Sequence, residues 1–493
     1  MSTGADPGAA LPPPQDVVEL ALALSRGEGC AVLVEEVSQT EVRFANSTTT
    51  TNGVRRGRRV AVVSFRLGGR AGPGGADPGA GTRTVGGAPT AVGVASGSGD
   101  VDVEALVRRA EAEAAAVEPA DDAFPLVDPS AVPAPGRFDD PPGLTAPGVL
   151  GDVLGDLAGA FRRARATDVV LSGFATHGVE TTYLGTSTGV RARHAQPAGS
   201  MELVGRSTDG SRSAWTGAAT ATFADVEVAA FEERVHRRLD WARHRVELPA
   251  GRYEVLLPPD ATADLMVPLS QELSGRAAEE GRSPFSAPGG GTRLGRRLCD
   301  LPFELRGDPA APGLESAPFL ATAASGPDVS VFDNGLPVPA TAWIEAGVLR
   351  RLRYHRAGAA RAGTAPTPPV GNLVLSLPAS GGGAGPSLED MIGTTERALL
   401  LTCLWYIREV DPVTLLLTGL TRDGVYLVEG GEIVGAVNNF RFNESPLDVL
   451  ARTAEAGATV RALSREWGEW MPRTAMPPLR VADFNMSSVS PAS

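Results

Sequence analysis

Between Cys30 and Leu67 the chain runs CAVLVEEV, TEVRFANS and RRVAVVSFRL, β-branched runs separated only by short polar breaks. Side chains branched at Cβ are stiff and pack well on a pleated surface, so the stretch is predicted as an antiparallel meander. Helical periodicity brackets it. Asp16 is placed to cap a helix to about Arg26, with Val17, Leu20, Ala21 and Leu24 inward. A second helix, from about Val101 to Val117, puts Val103, Leu106, Val107, Ala110 and Ala114 on one face. A third, at about 148–165, precedes the strands VVLSGFATHGV, ETTYLG and GVRARHA, and the charged segment FEERVHRRLDWARHR (231–245) is read as a fourth. Helix, strands, helix, strands is the order of an α+β fold and not of a doubly wound parallel sheet.

A chain of 493 residues is long enough for two or more domains. The predicted division is a flexible tail (1–15), an amino-terminal α+β domain built on an antiparallel sheet (16–247), a carboxy-terminal antiparallel β-rich domain (248–480) and a second tail (481–493). Within the first domain a Gly-rich loop at about 68–89 is expected to be disordered. In the second, Gly430-Gly431 between two apolar runs is a strong hairpin signal.

The net charge of −13 disfavours a general nucleic-acid role. The cluster Arg55, Arg56, Arg58 and Arg59 is the local exception, read as a solvated hairpin end or a contact for an anionic partner. Every basic residue apart from histidine is arginine, which removes any lysine-based covalent mechanism. No apolar run approaches the roughly 20 residues that span a bilayer. The start MSTGADPGAALPPPQ lacks the basic and apolar regions of a signal peptide, so no membrane role and a cytoplasmic location are expected. Cys30, Cys299 and Cys403 form no CxxC pair, so neither a disulfide framework nor a structural zinc site is suggested, and Cys403, in the apolar run Ala398 to Trp405, is predicted to be buried and inert. His236 and His244, eight apart in the charged segment, have no partner placed to complete a metal site and are read as surface residues.

The segment 263–286, ADLMVPLSQELSGRAAEEGRSPFS, is predicted to form a helix over 261–281, because Leu265, Leu269, Leu273 and Ala277 step by four along one stripe. Gln271, Glu272 and Arg276 lie off that stripe, at the spacing where a zinc-peptidase helix sets two histidines around a glutamate. A zinc ligand must offer a lone pair from an imidazole, a thiolate or a carboxylate. Arginine stays protonated and has none to give.

These letters, QELSGR, resemble the motif helix of the TldD/PmbA metallopeptidase family, whose active members carry HExxxH, often with glycine before the second histidine. Glu272 and Gly275 match; Gln271 and Arg276 replace the ligands. EVRFANS is similar to the family's amino-terminal strand, SVFDNGLPVPATAWIEAGVL to its Asp-x-Gly-x-Pro segment through Asp333, Gly335 and Pro337, and TGLTRDGVYLVEGGEI (418–433) to the strand pair near its cleft. Active members also take a cysteine ligand from near the carboxy terminus, and the tail WMPRTAMPPLRVADFNMSSVSPAS contains none. The resemblance therefore implies the PmbA (TldE) branch, with no metal and no catalytic residue in this chain.

On that resemblance the chain is expected to be the non-catalytic subunit of a heteromeric metallopeptidase acting on small or unfolded peptides or on amide-containing metabolites. It would be inactive alone, with zinc in a TldD-like partner and Glu272 structural or touching substrate. Glu272 as a surviving general base has no metal-bound water to act on. Trp405, Tyr406 and Tyr426 are expected at the heteromer interface. The alternative is a stand-alone peptide-binding or scaffold protein. A metal-free hydrolase lacks support, since no GxSxG elbow is present.

Overall fold

The computed structural model describes residues 11–67, 89–132, 137–378 and 385–490. The expected α+β architecture is present. In the amino-terminal part β1 (Gly29–Ala45) and β2 (Thr48–Leu67) form one long ribbon, followed by β3 (Pro89–Ser98), β4 (Val169–Thr186), β5 (Arg191–Ser207) and β6 (Ser213–Thr220). All six lie in one antiparallel sheet in the order β3-β2-β1-β4-β5-β6. CAVLVEEV and TEVRFANS are thus one strand. The ribbon turns at Asn46-Ser47, both at positive φ, as a primed two-residue turn requires. This moves the arginine cluster away from the hairpin end where it was expected. Arg58 and Arg59 sit along β2 opposite Glu36 and Glu35 and pair with them.

Helices α1 (Pro14–Leu24), α2 (Val103–Ala116), α3 (Gly151–Ala166) and α4 (Val228–Trp241) cover one face of this sheet. Successive strand side chains point to opposite faces. Val32 and Val34 accordingly pack under α1 and α2, and Val42 and Phe44 under α3. The alternate set, Ala31, Leu33, Ala61 and Val63, meets Phe319, Val331 and Phe332 of the carboxy-terminal half on the other face. The five predicted core residues of α2 are all buried. Asp16 does not cap α1: the helix starts at Pro14, inside the predicted tail, with Asp16 in its first turn. α4 ends at Trp241, so His244 lies beyond the helix.

The carboxy-terminal half contains a six-stranded and a ten-stranded sheet, largely antiparallel, with three parallel pairings. The Gly430-Gly431 turn joins Val425–Glu429 to Glu432–Val437 as expected. Two boundaries differ from expectation. The strand Arg245–Val246 already belongs to the larger sheet. The predicted tail from 481 is mostly a strand, Leu479–Val489, paired with Gly251–Leu257 and Phe440–Glu444, with Val481, Phe484 and Met486 buried. The stretch 68–88 lies outside the described residues. Among the described residues no helix is long and apolar enough to cross a membrane.

Candidate functional site

The motif segment is two helices. α5 (Pro259–Gln271) starts on proline at its first position and is buried on nearly every side, from Ala261 to Val267 without interruption. Pro268 lies four residues after Asp264 and has no N–H for the Asp264 carbonyl. The Trp467 indole supplies the missing donor at 2.9 Å. α5 ends at Gln271 with Glu272 as its C-cap, and α6 (Gly275–Glu279) begins after Ser274, whose Oγ accepts the Ala277 N–H. The predicted continuous helix over 261–281 is therefore broken at Leu273-Ser274, although Leu265, Leu269, Leu273 and Ala277 are buried as expected.

The break persists because another segment satisfies its backbone. The Arg353 N–H donates to the Leu273 carbonyl at 2.6 Å, and the Gly275 N–H donates to the Arg353 carbonyl at 2.9 Å. The Arg353 guanidinium also reaches the Gln271 carbonyl and Asp328 Oδ2, the latter at 2.9 Å. Arg353 Nε and Asp328 Oδ1 remain buried without a partner. Gly275 makes room for an aromatic ring: a Cβ there would lie 2.0 Å from Tyr354 Cζ. The Tyr354 hydroxyl in turn donates to Glu279 Oε1 at 2.7 Å.

The break separates the motif positions. Gln271 and Arg276 are both exposed, on different helices. Arg276 pairs with Glu280 at 2.9 Å, on the rim of an open cleft of about 460 Å³ that also holds Asp121, Tyr354 and His355. Glu272 is half-buried, and its carboxyl is pushed up to about 6, by burial first and then by the charge of Glu409, with Arg353 opposing. A carboxyl at that value exchanges a proton near neutrality. The residues present do not fit a zinc ion: an amide, a carboxyl beside a guanidinium and an ion-paired arginine replace the donor set that zinc needs. Among the described residues no three histidine, cysteine, aspartate or glutamate side chains come together as a metal site.

Other positions singled out in the sequence have structural roles. Asp333 is buried and accepts from the Arg356 backbone and guanidinium at 2.9 and 2.7 Å, which ties the Asp-x-Gly-x-Pro segment to the helix Arg356–Ala362. The three cysteines are buried, and the Cys403 thiol is pushed up to about 12 by burial. Trp405 is half-buried under Arg465 and Tyr426 is fully buried, so Tyr426 is removed from any interface. Tyr406 is exposed, on the edge strand Leu404–Asp411. Sequence reasoning missed Asp328, Arg353, Tyr354 and Glu409. All four come from segments distant in the chain, and no local signal marks them.

Residues 250–488 match the PmbA/TldA metallopeptidase C-terminal domain. The chain thus carries the C-terminal domain of the PmbA/TldD family. The whole fold is shared with TldE from Thermococcus kodakarensis at 16% identity and a TM-score of 0.73, over 96% of this chain and 99% of that one. A candidate modulator of a DNA gyrase from Thermotoga maritima matches at 17% identity and 0.73, over the same shares. Another from Bacteroides thetaiotaomicron matches at 13% and 0.70, also over 96% and 99%. A search of curated proteins found no match. Within that domain, residues 271–276 form a packed corner where two helices and the Arg353 segment meet.

Proposed function

We propose that this chain is the zinc-free subunit of a TldD/TldE-type heteromeric metallopeptidase of the cytoplasm. It shapes the cleft and holds small or unfolded peptides, or amide-containing metabolites, while a TldD-like partner carries the zinc. The observation that carries this reading is the separation of Gln271 from Arg276 by a well-packed break, on a scaffold otherwise complete over the length of its structural relatives. A scaffold kept whole around positions that cannot ligate is what a cleft-forming subunit needs. The exposed edge Leu404–Asp411, with Tyr406 and Val410 outward, supports pairing with another chain by strand addition. An interface of standard size would bury on the order of 1,600 Å².

The test is to mix the purified chain with a zinc-bearing homologue from the same source. A stable heteromer by size exclusion with light scattering, and peptidase activity that neither protein shows alone, is the expected result. Separate elution at micromolar concentration, with the homologue fully active by itself, rejects this reading in favour of a stand-alone peptide-binding protein.

A further inference from the structure

A cavity of about 700 Å³ lies between α4 and the carboxy-terminal half, within the range of roughly 300–1,000 Å³ common to small-molecule sites. It is distinct from the motif corner: Asp260, in its wall, and Glu272 stand near opposite ends of α5, roughly 18 Å apart at 1.5 Å per residue. Arg234, Arg237 and Arg238 line one side, spaced i, i+3 and i+4 on α4 so that all three share a flank of the helix.

The three guanidinium groups are held by neutral partners. Arg238, only 8% exposed, donates to the Trp215 carbonyl. Arg234 donates to Thr216 Oγ1 at 2.8 Å, and Arg237 lies 5.7 Å from the Trp241 ring centre. None forms an ion pair among the described residues, whereas Arg461, the fourth arginine of the wall, pairs with Asp225. A buried arginine without a counter-charge is costly. Burial first, and then the like charge of Arg234, disfavour the charged form of Arg238, with Tyr426 and the Asp260 carboxyl in the same wall opposing them. Leu388, Ile392, Ile433 and Val460 add apolar side chains to the lining.

We propose that this cavity binds a small organic monoanion, a carboxylate on an apolar body, with Arg234, Arg237 and Arg238 receiving the carboxylate and Leu388, Ile392 and Ile433 receiving the body. Guanidinium groups present paired N–H donors that match the two oxygens of a carboxylate. Charge decides between one and two negative charges on the ligand. The wall also carries Asp225, Asp260 and Glu389, so four arginines face three carboxyl groups, and a dianion would overcompensate. This inference does not depend on the subunit role proposed above.

The experiment is calorimetric titration of the whole chain with N-acetylphenylalanine, its amide and phenyl phosphate. The acid should bind, and the amide should bind at least about tenfold more weakly for want of a charge-assisted contact. Arg237→Gln, at an exposed position, should weaken the acid by about tenfold and leave the amide unchanged. Arg234→Gln provides a second variant, with thermal melting to check that both fold. Equal affinity for acid and amide, no binding at roughly 10 mM, or unchanged affinity in both folded variants overturns the proposal. Tighter binding of phenyl phosphate overturns the monoanion assignment. A peptide end and a free metabolite share this chemistry. Comparable affinity for N-acetyl-Ala-Ala-Phe supports the peptide end, and its exclusion while the acid still binds supports the free metabolite.

Discussion

The backbone N–H of Arg353 lies 2.6 Å from the carbonyl oxygen of Leu273, and this contact joins a segment eighty residues away to the point where the motif helix breaks. The same residue places its guanidinium against Gln271 and Asp328. Arg353→Met keeps both backbone bonds but should strip the guanidinium from the Gln271 carbonyl and leave Asp328 without its partner. A loss of about 3 kcal/mol or more is expected, read as a lower urea midpoint at unchanged slope.

Restoring letters should not restore a metal centre. Gln271→His combined with Arg276→His puts imidazoles on two helices separated by Leu273-Ser274, with no third ligand supplied. Elemental analysis of the double variant should give well under one zinc per chain. Stoichiometric zinc, or cleavage sensitive to a chelator, would show that the corner rearranges to form a site.

Asp264 supplies a pH test. It is buried in α5, accepts from Ser464 Oγ at 2.7 Å and from the Glu466 N–H at 3.0 Å, and burial pushes its carboxyl from 3.8 up to about 8. Between those values the folded chain keeps a proton that the unfolded chain has lost. The associated stability is thus full below about pH 4 and falls as pH rises towards 8. Asp264→Asn keeps an acceptor oxygen and removes the titration. Urea midpoints should decline less from about pH 5 to about pH 8 in the variant than in the parent. Equal declines would rule out the linkage.

The edge strand supplies an assembly test. Tyr406→Asp with Val410→Asp changes two exposed side chains on Leu404–Asp411 and should leave the melting temperature of the isolated chain nearly unchanged. The same pair should weaken the heteromer by at least about tenfold, as charge at the centre of an apolar contact does. Unimpaired assembly would move the interface elsewhere.

Gly275→Ala should be costly despite its small size. The added methyl meets the Tyr354 ring, and overpacking of this kind costs about 1–3 kcal/mol. A double-mutant cycle with Tyr354→Ala should show strong coupling, since removing the ring removes the collision.

The parts of this fold legible in the sequence are those fixed by local pattern. The face of α2 follows from its 3.6-residue period, and the Gly430-Gly431 turn from the positive φ that both positions adopt. The helix break was legible only in pieces, since Pro268 and the Ser274 cap act within an apolar stripe that continues across them. What fixes the break is Arg353, whose contact is non-local. The strand Leu479–Val489 was hidden for a similar reason: Val481, Phe484 and Met486 are buried, but a register shift between Val481 and Phe484 interrupts the two-residue alternation that marks a strand. The arginine flank of α4 carries no local mark of a cavity, because its partner wall comes from elements far along the chain.

The ring of Tyr354 against Gly275 has a consequence for reading such chains by comparison. Positions 271 and 276 face outward and tolerate exchange without disturbing the interior, whereas position 275 admits no side chain while that ring is in place. Drift can therefore erase the outer letters of the hexapeptide and spare the glycine. A surviving glycine in this setting is the footprint of a neighbouring tyrosine, and counting it as a trace of lost chemistry would overstate how much of a reaction the chain still carries.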